Sequence, residues 1–208
     1  MGIASIPQKI IPAIIFSVIL AIIAMFASQV GDPTNKNISN DNDFNIKQSY
    51  LISPLEDTLN TILSNNQYQF VDTELNAIPW SFEQHAYWLK FEIKNKGQGF
   101  TPLTVHFDNV MLDELTIFQF QASDNSATST QLGDVLAGLS FSQRSTPHYS
   151  FDIEANENVT LYVRIATTGI AKTPIHIYHL NDFSDLVQKK HLLWGDLSVL
   201  LLFLHYII

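Results

Sequence analysis

Cysteine is missing from all 208 residues, so disulfide bridges, a thiolate nucleophile and cysteine-ligated zinc are excluded together. That absence suits an exported bacterial domain as well as a cytosolic one. Charge is scarce too: 15% of residues are charged, with 11 Lys and Arg against 20 Asp and Glu. The formal net charge of −9, with no local basic patch, would repel a phosphate backbone, so nucleic acid is excluded as a partner. Only 8 glycines occur, and no glycine-rich phosphate loop, serine elbow or kinase signature appears, so no cofactor is implied. Internal repeats and low-complexity tracts are also lacking. What the chain has in quantity is apolar surface. Hydrophobic residues make up 46%, gathered at the two ends and in short runs between, which rules out general disorder and leaves room for one sandwich-sized domain with flanking segments.

The ends suggest where the domain works. Ile10 to Phe26 is an almost unbroken apolar run, interrupted only by Pro12 and Ser17, and follows Lys9. This is the pattern of an export signal. Ala24, Ala27 and Ser28 offer a cleavage region, although Met25 stands where a small residue is preferred; if uncleaved, the run approaches the ~17 to 25 residues that cross a hydrocarbon core, as a signal anchor would. Residues 1–30 are therefore expected to be a signal peptide or signal anchor. Residues 31–45, rich in Asp, Asn and Ser, should be a solvated linker. At the other end, Leu192 to Ile208 is apolar apart from Asp196 and His205 and stops while still apolar. Residues 185–208 are expected to be a juxtamembrane segment and a truncated first membrane helix, the competing reading being an amphipathic helix packed on the domain.

Between these ends, residues 46–184 should hold the folded domain. Ser53-Pro54-Leu55-Glu56 has a capping residue, a proline at the first helical position and a glutamate three residues on, so a short helix is expected with Leu55, Leu59, Ile62 and Leu63 on one face. Beyond Phe70 the period changes to two. Leu89, Phe91 and Ile93 alternate with Lys90, Glu92 and Lys94, and Leu103, Val105 and Phe107 with Thr104, His106 and Asp108. Further strands are expected at Leu115 to Phe120, at Tyr149 to Ile153, at Val159 to Ile165 and around Ile175 to Tyr178. The connections are too short for parallel crossovers. The fold class is all-β, a jelly-roll-like antiparallel β-sandwich with a short N-terminal helix.

Four segments in order carry a family resemblance: Tyr87-Trp88-Leu89-Lys90-Phe91; Leu103 to Ile117, containing Asp108-Asn109-Val110-Met111-Leu112-Asp113-Glu114-Leu115; Arg144-Ser145-Thr146-Pro147-His148 leading into Tyr149 to Ile153; and Leu161-Tyr162-Val163-Arg164 leading to Thr173-Pro174-Ile175. Over roughly Leu51 to Phe183 the chain resembles the type 2 extracellular domain of the seven-transmembrane receptors with diverse intracellular signalling modules. The resemblance implies a jelly-roll periplasmic domain that binds carbohydrate-like or other small ligands. Seven membrane helices and a cytoplasmic output such as a diguanylate cyclase or histidine kinase would follow. Leu192 to Ile208 would open the first receptor helix in a bacterial inner membrane, with the output module missing from this chain.

Candidate ligand-binding residues follow from side-chain physics. Trp80 and Trp88 offer the flat apolar faces that sugars stack on, although a Trp opening a core strand is more often a packing anchor. Arg144 and His148 would present donors to a hydroxyl or carboxylate from a loop before a strand, or else pair with Asp113 or Glu114. Arg164 is expected on a wet strand face, paired across to Glu92. No metal site is expected, because His176 and His179 share a face on a helix but not on a strand. Asp113 and Glu114, adjacent on a strand, cannot make a glycosidase pair, and the chain is not expected to be an enzyme. The expected partners are a small-molecule ligand and a membrane. The alternative is a periplasmic protein-interaction module, binding a second copy or another protein through exposed Phe118 and Phe120.

Overall fold

The computed structural model describes residues 17, 21, 37–38, 41–74, 77–81, 85–121, 127–133, 146–169 and 171–190. The chain divides into two compact units, one of residues 37–180 and one of residues 1–36 with 181–208. In the second unit, residues 181–190 continue a helix that begins at 180. No helix among the described residues is long and apolar enough to cross a membrane. The export run and the run from Leu192 lie outside the described residues, apart from Ser17 and Ala21.

The larger unit is an antiparallel β-sandwich. Its strands are β1 (Phe44–Ser53), β2 (Val71–Thr73), β3 (Ala86–Asn95), β4 (Thr101–Phe107), β5 (Glu114–Gln121), β6 (Ala127–Leu132), β7 (His148–Ile153), β8 (Asn158–Ala166) and β9 (Ile175–His179), with one short helix, α1 (Leu59–Ser64). One sheet has six strands in the order β2-β1-β3-β8-β5-β6 and the other three in the order β7-β4-β9. The chain crosses between sheets from β3 to β4, β4 to β5, β6 to β7, β7 to β8 and β8 to β9, which is jelly-roll-like winding.

Alternation decides the layers. Leu89, Phe91 and Ile93 of β3, Leu161, Val163 and Ile165 of β8, and Leu115 and Ile117 of β5 form one wall of a single buried cluster. The other wall is Leu103, Val105 and Phe107 of β4 with Phe151, Ile153, Ile175 and Ile177. Each is a strand residue of one parity, so two amphipathic sheets close on one another. At one end of the sandwich, buried Asn95 replaces missing ladder bonds: its Nδ2 donates to the carbonyls of Gly99 and Glu154, and its Oδ1 accepts from Gly97 N–H.

Three local expectations change. Phe44 opens β1 and, with Ile38, packs into the core, although both fall within the stretch whose polar composition suggests a solvated linker. The helix starts later than the Ser-Pro-Leu-Glu pattern implies. Ser53 is the last residue of β1, and its hydroxyl donates to the Pro54 carbonyl and accepts from Trp88 Nε1, so Thr58 caps α1 instead and accepts from Thr61 N–H at 3.3 Å. Leu59 and Ile62 are buried, Leu55 half-buried and Leu63 exposed.

Candidate ligand-binding groove

The opposite face of the six-stranded sheet should be wet if the core accounts for every apolar residue. It is not. Register lines up Leu51, Trp88, Arg164, Thr116 and Gln131 in one row across β1, β3, β8, β5 and β6, and the next row carries Tyr162 and Phe118. The segment between β1 and β2, residues 54–70, folds over the β1–β3 half of these rows. Leu59 and Ile62 pack on Leu51, Ala86 and Trp88, with Leu55, Tyr68 and Phe70 at the margin. A second, smaller core results. Tyr68 Oη donates to Asp57 Oδ2 at 2.5 Å, closing the segment on itself, and that bond to a carboxylate raises the Tyr68 pKa.

Where the cover stops, a groove of about 510 Å³ opens between residues 56–60 and the outer face of β5 and β6. Phe118 and Thr116 supply its sheet side, Ser129 and Gln131 its far wall, and Glu56 and Asp57 its near wall. Trp88 forms the floor. Its side chain is 0% exposed, stacked on Phe118 at 6.1 Å between centroids, with the Arg164 guanidinium 6.0 Å above its centre. Trp88 is thus a buried platform on which Phe118 and Arg164 rest.

Arg164 bars the groove at one end. One nitrogen donates to Glu114 Oε1 at 2.6 Å and the other to the Leu55 carbonyl, tying the covering segment to the sheet. Past this bar lies a second hollow of about 450 Å³, reached by Leu55, Asp113, Glu114, Thr167 and Thr168. Asp113 takes three bonds from the loop after β8: from Thr168 N–H at 2.7 Å, Thr168 Oγ1 at 2.8 Å and Thr167 Oγ1 at 3.0 Å. The amide bond, chief among these, holds its carboxyl below the usual value.

The sequence candidates scatter across this geometry. Trp88 is in the groove floor. Trp80 is half-buried against the main core, its ring 4.8 Å from that of Tyr87. His148 is exposed on β7 of the three-stranded sheet, its Nδ1 3.2 Å from the Thr146 carbonyl. Arg144 lies outside the described residues. Arg164 does not pair with Glu92, which bonds Lys90 at 2.9 Å instead; Glu114, diagonal to it on β5, takes that place. Asp113 and Glu114 are engaged with Thr167 and Thr168 and with Arg164 respectively. Among the described residues no group of three or more His, Asp or Glu side chains converges as a metal site. The polar wall from Ser129 and Gln131 carried no sequence signal, because β6 has no apolar alternation to announce it.

Comparison with known proteins adds a family. A family model described as 7TMR-DISM extracellular 2 matches residues 55–179. No curated protein matches the chain. Among solved structures, TmCBM61 in complex with beta-1,4-galactotriose shares 8% identity, covering 70% of this chain and 95% of that one, with a TM-score of 0.29. The enzymatically active domain of bacteriophage CBA120 tailspike protein 4 shares 14% identity over 72% of this chain and 21% of that one, at a TM-score of 0.29. A bsmA homolog from Methylobium petroleophilum shares 6% identity over 74% of this chain and 79% of that one, at 0.24. At scores of this size, fold and ligand have to be argued from the chain itself.

Proposed function

Because the chain belongs to the 7TMR-DISM extracellular 2 family, we propose that its sandwich is the periplasmic sensor domain of a bacterial membrane receptor and that it reads a small, carbohydrate-like ligand in the groove beside Arg164. The supporting observation is a 510 Å³ groove on the outer face of the six-stranded sheet, with half-buried Phe118, backed by the fully buried Trp88, at its base and hydroxyl, amide and carboxylate groups around it. That is the lining a polyhydroxylated molecule needs, with a flat apolar face below and hydrogen-bond groups around it. In this reading residues 1–30 serve as export signal or anchor, and residues 185–208 lead into the receptor's membrane part. Binding would act on the segment that Arg164 ties down, since a ligand changes an equilibrium only through different contacts in two states.

The rival reading, a protein-interaction module, needs Phe118 and Phe120 exposed. Both are half-buried, Phe118 stacked on Trp88 and Phe120 edge-on to Tyr162 at 5.5 Å. Among the described residues the exposed large apolar side chains are Leu63, Val71, Phe100 and Met111, from α1, β2, the β3–β4 loop and the β4–β5 loop.

The test is a thermal-shift screen of the full chain in a polyoxyethylene detergent, whose headgroup is not a sugar, against neutral sugars, amino acids and short carboxylates. A ligand that binds only the folded state, at 100 times its Kd, adds about 2.7 kcal/mol. Ser129→Trp, which fills the groove from an exposed position, should abolish the shift. If no compound shifts the transition and the transition rises with protein concentration, the interaction module replaces the sensor reading.

A further inference from the structure

The charge around the groove is lopsided. Glu56, Asp57 and Glu114 line it, and Arg164 is the one cationic side chain among its described lining residues. Arg164 is already committed, with one end on Glu114 and the other on the Leu55 carbonyl. An anionic ligand would have to separate the pair at 2.6 Å and then sit against the carboxylates of Glu56 and Asp57. A positively charged group meets the opposite situation. Glu56 is exposed at the rim, the Asp57 carboxylate is beside it in sequence, and the ring of Phe118 presents a face of the kind that Trp88 already offers to Arg164. The net charge of −9 attracts the same class of ligand from a distance.

We infer that the groove selects a hydroxyl-rich ligand bearing a protonated amine, and excludes carboxylated and phosphorylated ones, because Glu56, Asp57 and Glu114 outnumber an Arg164 that is internally paired. This ligand class presupposes the binding site proposed above. Glu56 and Asp57 bind the ammonium group; Thr58, Ser129 and Gln131 take the hydroxyls; Arg164 positions Glu114 and the covering segment.

Three trisaccharides of matched length separate the alternatives by calorimetry on the full chain in polyoxyethylene detergent: a glucosamine trimer, its fully N-acetylated form and a galacturonate trimer. The expected order is amine first, N-acetyl weaker by about tenfold at low salt, and uronate undetectable. Glu56→Gln, at an exposed rim position, should bring the amine form down towards the N-acetyl form without lowering the thermal transition of the free protein. Adding Asp57→Asn should complete the loss of preference, and because it also weakens the bond from Tyr68 Oη it is read by the amine-to-N-acetyl affinity ratio and not by the transition. Equal affinity for the amine and N-acetyl trimers, both lost in Ser129→Trp, would leave the groove as the binding site and overturn the amine preference. Tightest binding of the uronate would overturn it as well. Amine binding that survives Ser129→Trp, or no binding by any trimer, would remove the groove itself, and the preference with it.

Discussion

The two faces of the six-stranded sheet are made by the same strands, one residue out of phase, and they do different work. On the inner face Leu89, Phe91, Leu161 and Val163 are completely buried and meet a whole second sheet. On the outer face Trp88 is just as buried, but its cover is a short helix and a loop that together shield only part of the sheet. Complete cover takes those side chains out of solvent altogether. Partial cover leaves a groove at its margin, and the groove inherits a platform rigid enough to hold Arg164, Phe118 and Thr116 in place. Burial on the outer face therefore positions side chains as much as it stabilises the fold.

Breaking the inner face should be costly and indifferent to ligand. Phe91→Ala empties a fully buried site in the middle of β3 and is expected to lower stability by about 3–5 kcal/mol in denaturant titration, with the transition midpoint falling and ligand preference unchanged in whatever remains folded. Breaking the outer face should be cheaper and local. Arg164→Ala removes the tie to Glu114 and Leu55, but Glu114 is half-exposed and water can reach the freed partners, so about 1–2 kcal/mol is expected. The distinguishing readout is amide hydrogen exchange. Residues 54–60 should exchange faster while β3 and β8 keep their protection. Arg164→Lys should repair little of this, because an ammonium cannot fork to two partners on different elements. Thr58→Ala, which removes the cap of α1, should cost about 1 kcal/mol and raise exchange in the same segment.

One residue runs against the comparison. Gln48 is on the inner parity of β1, opposite Phe91, only 5% exposed, with no hydrogen-bond partner for its amide among the described residues. Gln48→Met keeps the volume and removes the stranded amide, so it is expected to stabilise the protein by about 1 kcal/mol. A loss of stability would mean that an ordered water satisfies the amide.

Five of the strands were legible because apolar and polar residues alternate in them, as in Leu89, Phe91 and Ile93 or Val159, Leu161 and Val163, and a sixth, β5, because Leu115 to Phe120 is a short run rich in apolar residues on both faces. β1 was not, for a physical reason: its buried positions include Gln48 and Ser49 beside Phe44 and Leu51, so neither parity is purely apolar, and an Asn- and Asp-rich stretch precedes it. β6 is Ala127 to Leu132 with Thr, Ser and Gln between, an edge strand with almost nothing to bury. The groove was legible only in Trp88. Its other parts depend on strand order and register: β8 lies between β3 and β5, but Glu92 stands opposite Thr160, four residues from Arg164, whereas Glu114 stands opposite Ala166, only two away. They also depend on a carbonyl, that of Leu55, 109 residues away in sequence. Side-chain identity reports alternation within a strand. It does not report which strand lies alongside.

The smallest expected effect sharpens the comparison through its pH dependence. Asp113 joins the loop after β4 to the loop after β8 at the end of the outer face, and its carboxyl is held below the usual aspartate value by the Thr168 amide, with the Thr168 and Thr167 hydroxyls adding to it. A folded pKa lower than the unfolded one means the unfolded chain takes up the proton first as pH falls. The contribution is then complete above about pH 4 and disappears as pH drops through the folded value. Asp113→Asn should therefore lower stability at neutral pH by no more than about 1 kcal/mol, the group being largely solvated. The gap to the parent should shrink as both are titrated below pH 4. Asp41, lowered chiefly by the Asp43 amide and then by His179, remains in the variant, so part of the acid slope should persist. Phe91→Ala has no titrating group to lose, and its deficit should stay constant over the same range. Denaturant midpoints of the three proteins from pH 7 to pH 2.5 decide it. A gap for Asp113→Asn that stays level would mean the Asp113 carboxyl is no more acidic in the fold than in the open chain, and that the loops are joined by something other than its charge.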